Sequence, residues 1–342
     1  MQDAKRAEHS VVGPRQQAAA QHCAPETLWT CVARHVKASA VLWSLLVAFS
    51  PHAPTAATVE PLAVFEQVAG DESIHAVAAG ETLGHIAARF GMKTQLAAAI
   101  NRLSDPHRLH IGQRLRMSNR HIVPSALRDG IVINSGDLML YWLRDGAVVA
   151  SFPVGVGRKA WQTPPGRYTI VGRRRDPVWH VPVSIQKEMH EKGEPVKKKV
   201  LPGPDNPLGK YWLQLSAGGY GIHGTNAPQS VGKYTTHGCI RLRPDDIERL
   251  YNEVPTGTPV DVVDEPVKLA RISSDRILLE AHRGPSGTTA ESASLYMQRL
   301  RAAGVMDQVD AAAAEQVLHN TWGIAIDVSK RRGLEQRADS GR

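Results

Sequence analysis

One cysteine and two histidines lie close together between glycines in the stretch GIHGTNAPQSVGKYTTHGCIRL, residues 221–242. A thiolate is a strong nucleophile, but a free thiol is mostly protonated near neutral pH and needs a nearby base or cation. His223 ends a predicted strand, and Gly224 after it allows a turn that presents the ring to a groove. We therefore predict that Cys239 is a catalytic nucleophile, with His223 as its base and His237 as a second catalytic histidine.

Residues on either side of Cys239 can serve the same chemistry. In an extended segment His237, Cys239 and Arg241 point to the same side, because side chains alternate along a strand. Gly238 permits close backbone approach, and N–H groups near the cysteine can stabilise an oxyanion. The guanidinium of Arg241 can hold a substrate carboxylate. We predict that Gly224, Gly238 and Arg241 bind substrate.

Two other interpretations of these residues remain open at this point. A zinc site made of His223, His237 and Cys239 would need a fourth ligand or water. A buried, inert cysteine is the second alternative. The sequence has neither a CxxC nor an HExxH pattern, and it has no phosphate-binding glycine loop or dinucleotide fingerprint. Thiol catalysis is therefore favoured, and no metal or cofactor is predicted.

The region around this stretch is predicted to be mainly β, a sandwich or barrel with one or two small helices. Asp145-Gly146 is a strong hairpin signal between two of its strands. A helix is predicted over 244–252, with Pro244 in its first turn. The candidate strands are 131–134, 138–143, 148–156, 167–171, 211–215, 219–223 and 260–263.

Residues 74–118 form a separate small unit with a βααβ pattern. A strand over 74–77 precedes a helix over 83–90, which Thr82 can cap and Gly91 can end. A second helix over 95–101 and a turn at Gly112 lead to a final short strand. This unit is about the smallest size that folds alone.

The N-terminal segment has the layout of a secretory signal. The apolar run ASAVLWSLLVAF, residues 38–49, follows Arg34 and Lys37 and precedes a small-residue stretch at 54–57. The run is shorter than the ~20 residues of a membrane span, and a buried core helix is the alternative. We predict that residues 1–57 are an export leader and that the protein resides in the periplasm or cell envelope.

Export makes the cysteine count informative. The other two of the three cysteines, Cys23 and Cys31, lie in the predicted leader. The exported protein would then hold Cys239 alone, in a compartment that favours disulfides. An unpaired cysteine in a secreted protein indicates a reactive thiol.

Charge and the remaining segments add less. The net charge of +8 can favour polyanions, but no nucleic-acid motif accompanies it, and a solvated basic face on an envelope protein is the better interpretation. The charged run 186–200 is predicted to be a mobile, solvated insertion. Residues 268–342 are predicted to be a separate extension, partly helical over 290–303 and 307–319, with a disordered polar end from residue 330.

The 74–118 unit resembles a LysM domain, a module that binds the glycan strands of peptidoglycan and chitin. The resemblance implies glycan binding through Gly80, Thr82 and Asn101; a module that only spaces the catalytic domain is the alternative. The matching residues are Val77, Gly80-Glu81-Thr82-Leu83, Ile86-Ala87, Asn101, Leu103, Pro106 and Gly112-Gln113-Arg114-Leu115.

Residues 131–267 resemble the L,D-transpeptidase catalytic domain of the YkuD family, particularly the Gram-negative periplasmic enzymes with an N-terminal LysM-like unit. The combination of one upstream histidine with His-Gly-Cys is highly specific for that family. The matching residues are Ile222-His223-Gly224-Thr225-Asn226, Thr236-His237-Gly238-Cys239-Ile240-Arg241-Leu242, Thr163-Pro164-Pro165-Gly166, Pro177, Trp179 and 203–209.

This resemblance implies that Cys239 attacks a peptidoglycan tetrapeptide stem, releases D-alanine and leaves a thioester. It also implies that His223 is the base, oriented by a backbone carbonyl, and that His237 and Arg241 support geometry and binding. The acceptor would be the amine of another stem, giving a 3→3 cross-link, or a lysine of an outer-membrane lipoprotein. The alternatives are an L,D-carboxypeptidase or cross-link hydrolase of the same fold, and a non-catalytic wall-binding scaffold.

Overall fold

The computed structural model describes residues 59–124, 127–284 and 290–330. Within these ranges no helix is both long enough and apolar enough to cross a membrane. The predicted signal segment at 38–49 lies outside the described residues, and so does all but the first residue of the polar end predicted from residue 330.

The first part of the described chain contains the predicted βααβ unit. The hydroxyl of Thr82 accepts a hydrogen bond from the His85 amide at 3.2 Å and caps the first helix, as the sequence predicts. Leu83, Ile86 and Leu115 form the centre of its core. The elements are β1 (Val64–Phe65), β2 (Val68–Ala69), β3 (Glu72–Ala76), α1 (Leu83–Arg89), α2 (Thr94–Ile100), β4 (Arg114–Ser118) and β5 (His121–Ile122).

The middle part is mainly β and carries two helices. The hairpin predicted at Asp145-Gly146 joins two antiparallel strands, and both of its residues have positive φ. The elements are β6 (Gly130–Asn134), β7 (Met139–Arg144), β8 (Ala147–Pro153), β9 (Val156–Gly157), β10 (Gly166–Arg175), β11 (Trp179–His180), α3 (Val183–Glu191), β12 (Lys199–Val200), β13 (Tyr211–Leu215), β14 (Gly221–His223), β15 (Tyr234–Thr236), β16 (Ile240–Arg241), α4 (Pro244–Glu253) and β17 (Pro259–Val263).

The main sheet has eight strands in the order β16-β14-β13-β10-β17-β6-β7-β8. Strand β10 pairs with β17 through its first half and with β13 through its second, and its register shifts between Ile170 and Gly172. The sheet curls at this irregularity, since a bulge bends a strand and increases its twist. Apolar side chains from both halves, such as Leu140 and Leu213, share one buried core. The predicted mainly β fold is confirmed, and its main sheet is a single curled one.

The charged run that was predicted to be a mobile loop is partly ordered. It contributes most of helix α3 and one strand of the antiparallel β11–β12 pair. The helix has no fully buried residue, so its sequence lacks the apolar periodicity by which a helix is recognised. Its contacts with the rest of the domain are polar instead, since Glu188 pairs with Arg158 and contacts His237.

The C-terminal extension contains the two predicted helices, but it also contains strands that the sequence did not predict. Strand β1 pairs in parallel with β18, with Val64 opposite Leu269, so both ends of the described chain share one sheet. Trp322 and Ile324 pack into the core of the βααβ unit. The elements are β18 (Val267–Ser273), β19 (Arg276–Ala281), α5 (Ala290–Ala302), α6 (Ala311–Asn320) and β20 (Ile326–Asp327).

A fully buried group of charges, here called the junction cluster, joins the three parts of the chain. Lys268 of β18 contacts the carboxylate of Asp137, lies 3.0 Å from that of Glu280 and donates to the Ile122 carbonyl oxygen at 2.6 Å. His121 of β5 lies 2.8 Å from Glu280. His121 belongs to the small unit, Asp137 to the main-sheet region, and Lys268 and Glu280 to the extension, so the cluster fixes how these three parts meet.

Candidate active site

His223 is buried at the end of β14, between β13 and β16. Its Nδ1 lies 2.6 Å from the carbonyl oxygen of Gly224. A carbonyl only accepts, so Nδ1 carries the proton and Nε2 keeps the lone pair that a general base needs. The ring also stacks on Trp212, with centroids 5.8 Å apart.

The environment of His223 keeps its ring neutral. Burial lowers the pKa of His223 to about 3, the positive charge of Arg241 acts in the same direction, and the carbonyls of Gly224 and Leu208 oppose the shift. An imidazole with this pKa is unprotonated throughout the physiological range. It can accept a proton, but it is a weak base until a charge develops beside it.

Cys239 is half-buried and is the one free cysteine in the part of the chain that the structure describes. Its thiol donates to the Gly219 carbonyl oxygen, with 3.6 Å between sulfur and oxygen. Burial raises the pKa of the Cys239 thiol, whereas a hydrogen bond from the Gly221 amide and the charge of Arg241 lower it. The resting form is therefore the thiol, and reaction requires a base.

The parallel pairing of β14 with β16 sets the geometry around the thiol. His223 lies opposite Arg241 in this ladder, and Ile222 lies opposite Ile240. Both isoleucines are buried in the core, so His223, Arg241 and the preceding Cys239 face the other way. The predicted common side for Cys239 and Arg241 therefore also holds His223. The prediction does not extend to His237, because Gly238 has a φ of +106° and interrupts the extended segment before Cys239.

Arg241 has donor capacity to spare. Its Nη1 donates to the Ser230 hydroxyl at 2.8 Å, but its buried Nε has no hydrogen-bond partner among the described residues. A buried donor without a hydrogen-bond partner destabilises the fold, and a bound anion can supply the missing acceptor. The guanidinium can thus accept a carboxylate beside the cysteine.

His237 is held from the side by helix α3. Its Nε2 lies 2.7 Å from the Glu188 carboxylate and 3.0 Å from Nη2 of Arg158, and its ring contacts the Trp161 ring edge-on. Glu188 also pairs with Arg158 at 2.6 Å, and these hydrogen bonds, that from Arg158 foremost, keep its pKa well below the usual range. Sequence reasoning missed Glu188, because it lies in a run whose charges resemble a solvated loop.

Gly238 is required by the backbone at this point. Its φ is +106°, and a Cβ there would lie 2.6 Å from the Tyr220 ring. Thr163 supports the same turn, since its hydroxyl donates to the Gly238 carbonyl oxygen at 2.9 Å. The Gly238 amide donates to the Thr236 hydroxyl, and no acceptor for the Cys239 amide lies among the described residues. Of these two amides, that of Cys239 is the one available to an oxyanion.

Not all predicted residues meet. Neither His223 nor His237 forms a hydrogen bond with the Cys239 sulfur in the ranges described. The three do not form a metal-ligand group either: the one set of His, Cys, Asp or Glu ligand atoms found within 4.8 Å of one another in these ranges is His121, Glu280 and His282. The described arrangement therefore gives the zinc interpretation no support. Gly224, the turn residue after the predicted base, is buried against Ile247 and Leu208.

The three residues predicted to bind glycan occupy different roles within the small unit. Gly80 is exposed with a φ of +77°, and the Thr82 hydroxyl caps α1. The Asn101 side chain makes three internal hydrogen bonds, donating to the carbonyl oxygens of Ala97 and Arg116 and accepting from the Arg116 amide. Glycan binding by these residues stays a prediction.

Comparisons with known proteins give consistent results. Residues 128–262 match the model of the L,D-transpeptidase catalytic domain, YkuD, and residues 75–118 match the LysM domain. The chain is 33% identical to "Probable L,D-transpeptidase ErfK/SrfK" of Salmonella typhimurium over 74% of this chain and 84% of that protein. It is 38% identical to "Probable L,D-transpeptidase YbiS" of Escherichia coli strain K12 over 53% of this chain and 59% of that protein.

Among solved structures, the chain is similar to the catalytic domain of the L,D-transpeptidase from E. faecium, with 21% identity and a TM-score of 0.32. That similarity covers 40% of this chain and 99% of the other.

A curled β domain that matches the YkuD catalytic model, with a LysM domain before it, is the domain combination of a cell-wall transpeptidase. The chain belongs to the L,D-transpeptidase family with the YkuD catalytic domain, and it is a transpeptidase enzyme.

Proposed function

We propose that the protein transfers peptidoglycan tetrapeptide stems through a thioester on Cys239. The sulfur attacks the carbonyl between the third residue and the terminal D-alanine. The C–S bond forms, the C–N bond breaks, and D-alanine leaves with a proton. An acceptor amine then attacks the thioester and releases the thiol.

The observation that carries this proposal is the shared face of Cys239, His223 and Arg241, set by the β14–β16 pairing. His223 accepts the thiol proton at Nε2 and returns it to the leaving amine, while the Gly224 carbonyl fixes its tautomer. The Cys239 sulfur must first leave its contact with the Gly219 carbonyl. Rotation of the cysteine side chain about its Cα–Cβ bond moves the sulfur without moving the backbone.

Two further groups stabilise the reaction. The Cys239 amide, which has no acceptor among the described residues, donates to the developing oxyanion. Arg241, with its unpaired Nε, binds a stem carboxylate. His237, held by Glu188 and Arg158, shapes the side of the groove next to the thiol.

Peptidoglycan is the partner that both matched domains support. We propose that the LysM domain holds the glycan strand near its first loop, with Gly80 leaving that loop open and Thr82 and Asn101 fixing its shape. The acceptor is the side-chain amine of a second stem, or a lysine of an outer-membrane lipoprotein. Both require export, which we assign to the apolar segment 38–49.

The test is product analysis by mass spectrometry with purified disaccharide-tetrapeptide. We expect a dimer lacking one D-alanine with the wild-type protein and no such product with Cys239→Ala. Cys239→Ser serves as a matched control, because it keeps the shape of the site with a poorer nucleophile. Carbapenems should acylate Cys239, which intact-mass measurement with meropenem detects.

Each other outcome has a definite meaning. A tripeptide monomer as the single product would replace transpeptidation with carboxypeptidase activity, unless adding a lipoprotein lysine peptide restores transfer. Equal binding of wild-type and Cys239→Ala protein to sacculi without any product would favour the scaffold. A fusion of residues 1–57 to a reporter active only in the periplasm tests export, and an inactive fusion would contradict it.

A further inference from the structure

A large cleft lies between the LysM domain, the catalytic domain and the C-terminal extension, and no step of the proposed reaction uses it. Its volume is about 1150 Å³. All three parts of the chain contribute to its walls, which include the first LysM loop at Gly80 and Thr82, the segment before β15 and the segment around Trp322. The extension, which has no assigned role, therefore completes a cavity that starts at the glycan-binding module.

The charges in this cleft are unbalanced. Its carboxylates are Glu81 and Asp137, and both are already paired, Glu81 with Arg89 at 3.1 Å and Asp137 with Lys268. Four further cations line the cleft and form no ion pair within the described ranges. They are Lys93, Lys233, Arg243 and Arg283.

Two of these cations, Lys93 and Arg283, lie close enough to repel each other electrostatically. Lys93 is half-buried, and its ammonium contacts the Thr321 hydroxyl. Burial lowers the pKa of Lys93, and the nearby charge of Arg283 lowers it further. Like charges that face one cavity without a counter-ion repel each other, and a bound anion removes this cost.

The loop proposed to hold the glycan forms one wall, and cations without an ion-pair partner among the described residues line the others. We propose that the cleft binds a peptidoglycan strand, with its neutral sugars at the LysM loop and the carboxylates of neighbouring stem peptides at Lys93, Lys233, Arg243 and Arg283. The inference rests on the proposed function for its choice of polymer. It adds a site that recognises the strand outside the reacting stem.

The cleft is within reach of the thiol. Lys233 and Tyr234 line it, and the chain runs from Tyr234 through β15 to Cys239. Five residues span at most ~18 Å when fully extended. A strand in the cleft can therefore present one of its stems to Cys239 while other stems stay at the cations.

The experiment compares two substrates in a D-alanine release assay with the full-length protein. One is the monomeric disaccharide-tetrapeptide, and the other is a glycan strand bearing several tetrapeptide stems. The variant is Lys233→Glu/Arg283→Glu, which changes two exposed side chains from different parts of the chain. The matched control is Arg271→Glu/Arg301→Glu, two exposed arginines that do not line the cleft.

We expect the cleft variant to raise KM for strands about five- to tenfold, with kcat and monomer turnover within about twofold of wild type. Added salt should raise the wild-type KM for strands toward that of the variant. Unchanged turnover of the monomer shows that the variant folds. If the cleft variant matches the control on strands, or if both substrates suffer equally, the inference is wrong. A wild-type protein that releases no D-alanine from either substrate would instead overturn the proposed function.

Discussion

The junction cluster and the active site are both buried groups of ionisable side chains, and they differ in how well their polar atoms are paired. In the junction cluster, Lys268 contacts two carboxylates and a carbonyl, and Glu280 contacts both His121 and His282. In the active site, the Arg241 Nε has no partner among the described residues, and the Cys239 thiol donates to one carbonyl oxygen at 3.6 Å. A closed network stabilises the fold, whereas an open one leaves capacity for a ligand.

Protonation follows the same division. Burial opposes ionisation of Glu280, but Lys268 and His121 outweigh it and hold the pKa of Glu280 well below its usual range. Among the described residues no carboxylate performs this role for the Cys239 thiol, and burial keeps both Cys239 and His223 neutral. The side chains of the junction cluster are charged and form ion pairs, whereas Cys239 and His223 are uncharged before substrate binds.

The largest expected effect is on the open network. His223→Gln removes the base and should lower kcat for D-alanine release about 10²–10⁴-fold, with the midpoint of thermal unfolding within a few degrees of wild type. Trp212→Phe, which keeps an aromatic ring on the stacked face, is the control and should retain most activity. Near-normal turnover by His223→Gln would show that another group acts as the base.

The closed network should respond in stability instead. Lys268→Met leaves two buried carboxylates without their cation and should lower the free energy of unfolding by about 3–5 kcal/mol. Lys187→Met, on an exposed side chain of α3, should change it by less than about 0.5 kcal/mol. Urea unfolding measures both, and activity per folded molecule should not change. A loss of activity without a loss of stability would contradict the distinction between the two groups.

Acid should weaken the closed network. Because the folded pKa of Glu280 is depressed, its contribution is fully present above the unfolded value of about 4.3 and is lost as the pH falls below it. Burial lowers the pKa of His282, so below about 6.5 the unfolded chain binds a proton that the folded chain does not, which destabilises the fold further. Unfolding free energies should therefore fall from pH 7 to pH 4 as His282 is protonated in the unfolded chain, and fall further below pH 4 as Glu280 is protonated. A constant value over this range would contradict the assigned charges.

A smaller effect is expected where helix α3 meets the active site. Glu188→Gln removes the charge that holds His237 and Arg158, and turnover should fall, but by less than about 10²-fold. Glu191→Gln, on the same helix and paired with Lys187 at the surface, is the matched control. An indirect role predicts that the pH profile of turnover also changes with Glu188→Gln. Equal turnover and equal pH profiles for the two variants would show that Glu188 does not support the active site.

The smallest effect is a difference in the shape of a pH profile. The rate of Cys239 alkylation by iodoacetamide should rise with pH from neutral to above 9, because burial raises the pKa of the thiol. Between pH 5 and 8 it should show no step from His223, whose pKa is about 3. Peptide mapping separates Cys239 from the other two cysteines. A step near pH 6.5 would mean that the imidazole is solvated.

Prediction from the sequence succeeded where the signal was local. Thr82 caps α1 as its position before an apolar run implies, and the Asp145-Gly146 hairpin follows from turn chemistry alone. The family assignment rested on residues within short stretches, and the comparisons confirm it. The common side of Cys239 and Arg241 also followed from strand alternation.

Prediction failed where distant segments supply each other's partners. Lys268 and Glu280 lie in the segment predicted to be a separate extension, yet Lys268 is buried against Asp137 and Glu280 against His121, each more than a hundred residues away. Val64 finds its strand partner at Leu269, which no local pattern encodes. Glu188 belongs to the active site through a contact 49 residues away, and its charged neighbours concealed it.

The parallel pairing of β1 with β18 has a consequence for how substrate is presented to the active site. The LysM domain lies between two segments of one sheet and shares its core with Trp322 and Ile324, so it is not attached by a free linker. For modules on flexible linkers, the effective concentration of a bound ligand at the second site falls as the linker lengthens. In this protein the effective concentration is fixed, because the fold sets the distance between the LysM domain and the active site. The enzyme would therefore select stems by their spacing along the glycan from the point that the LysM domain holds.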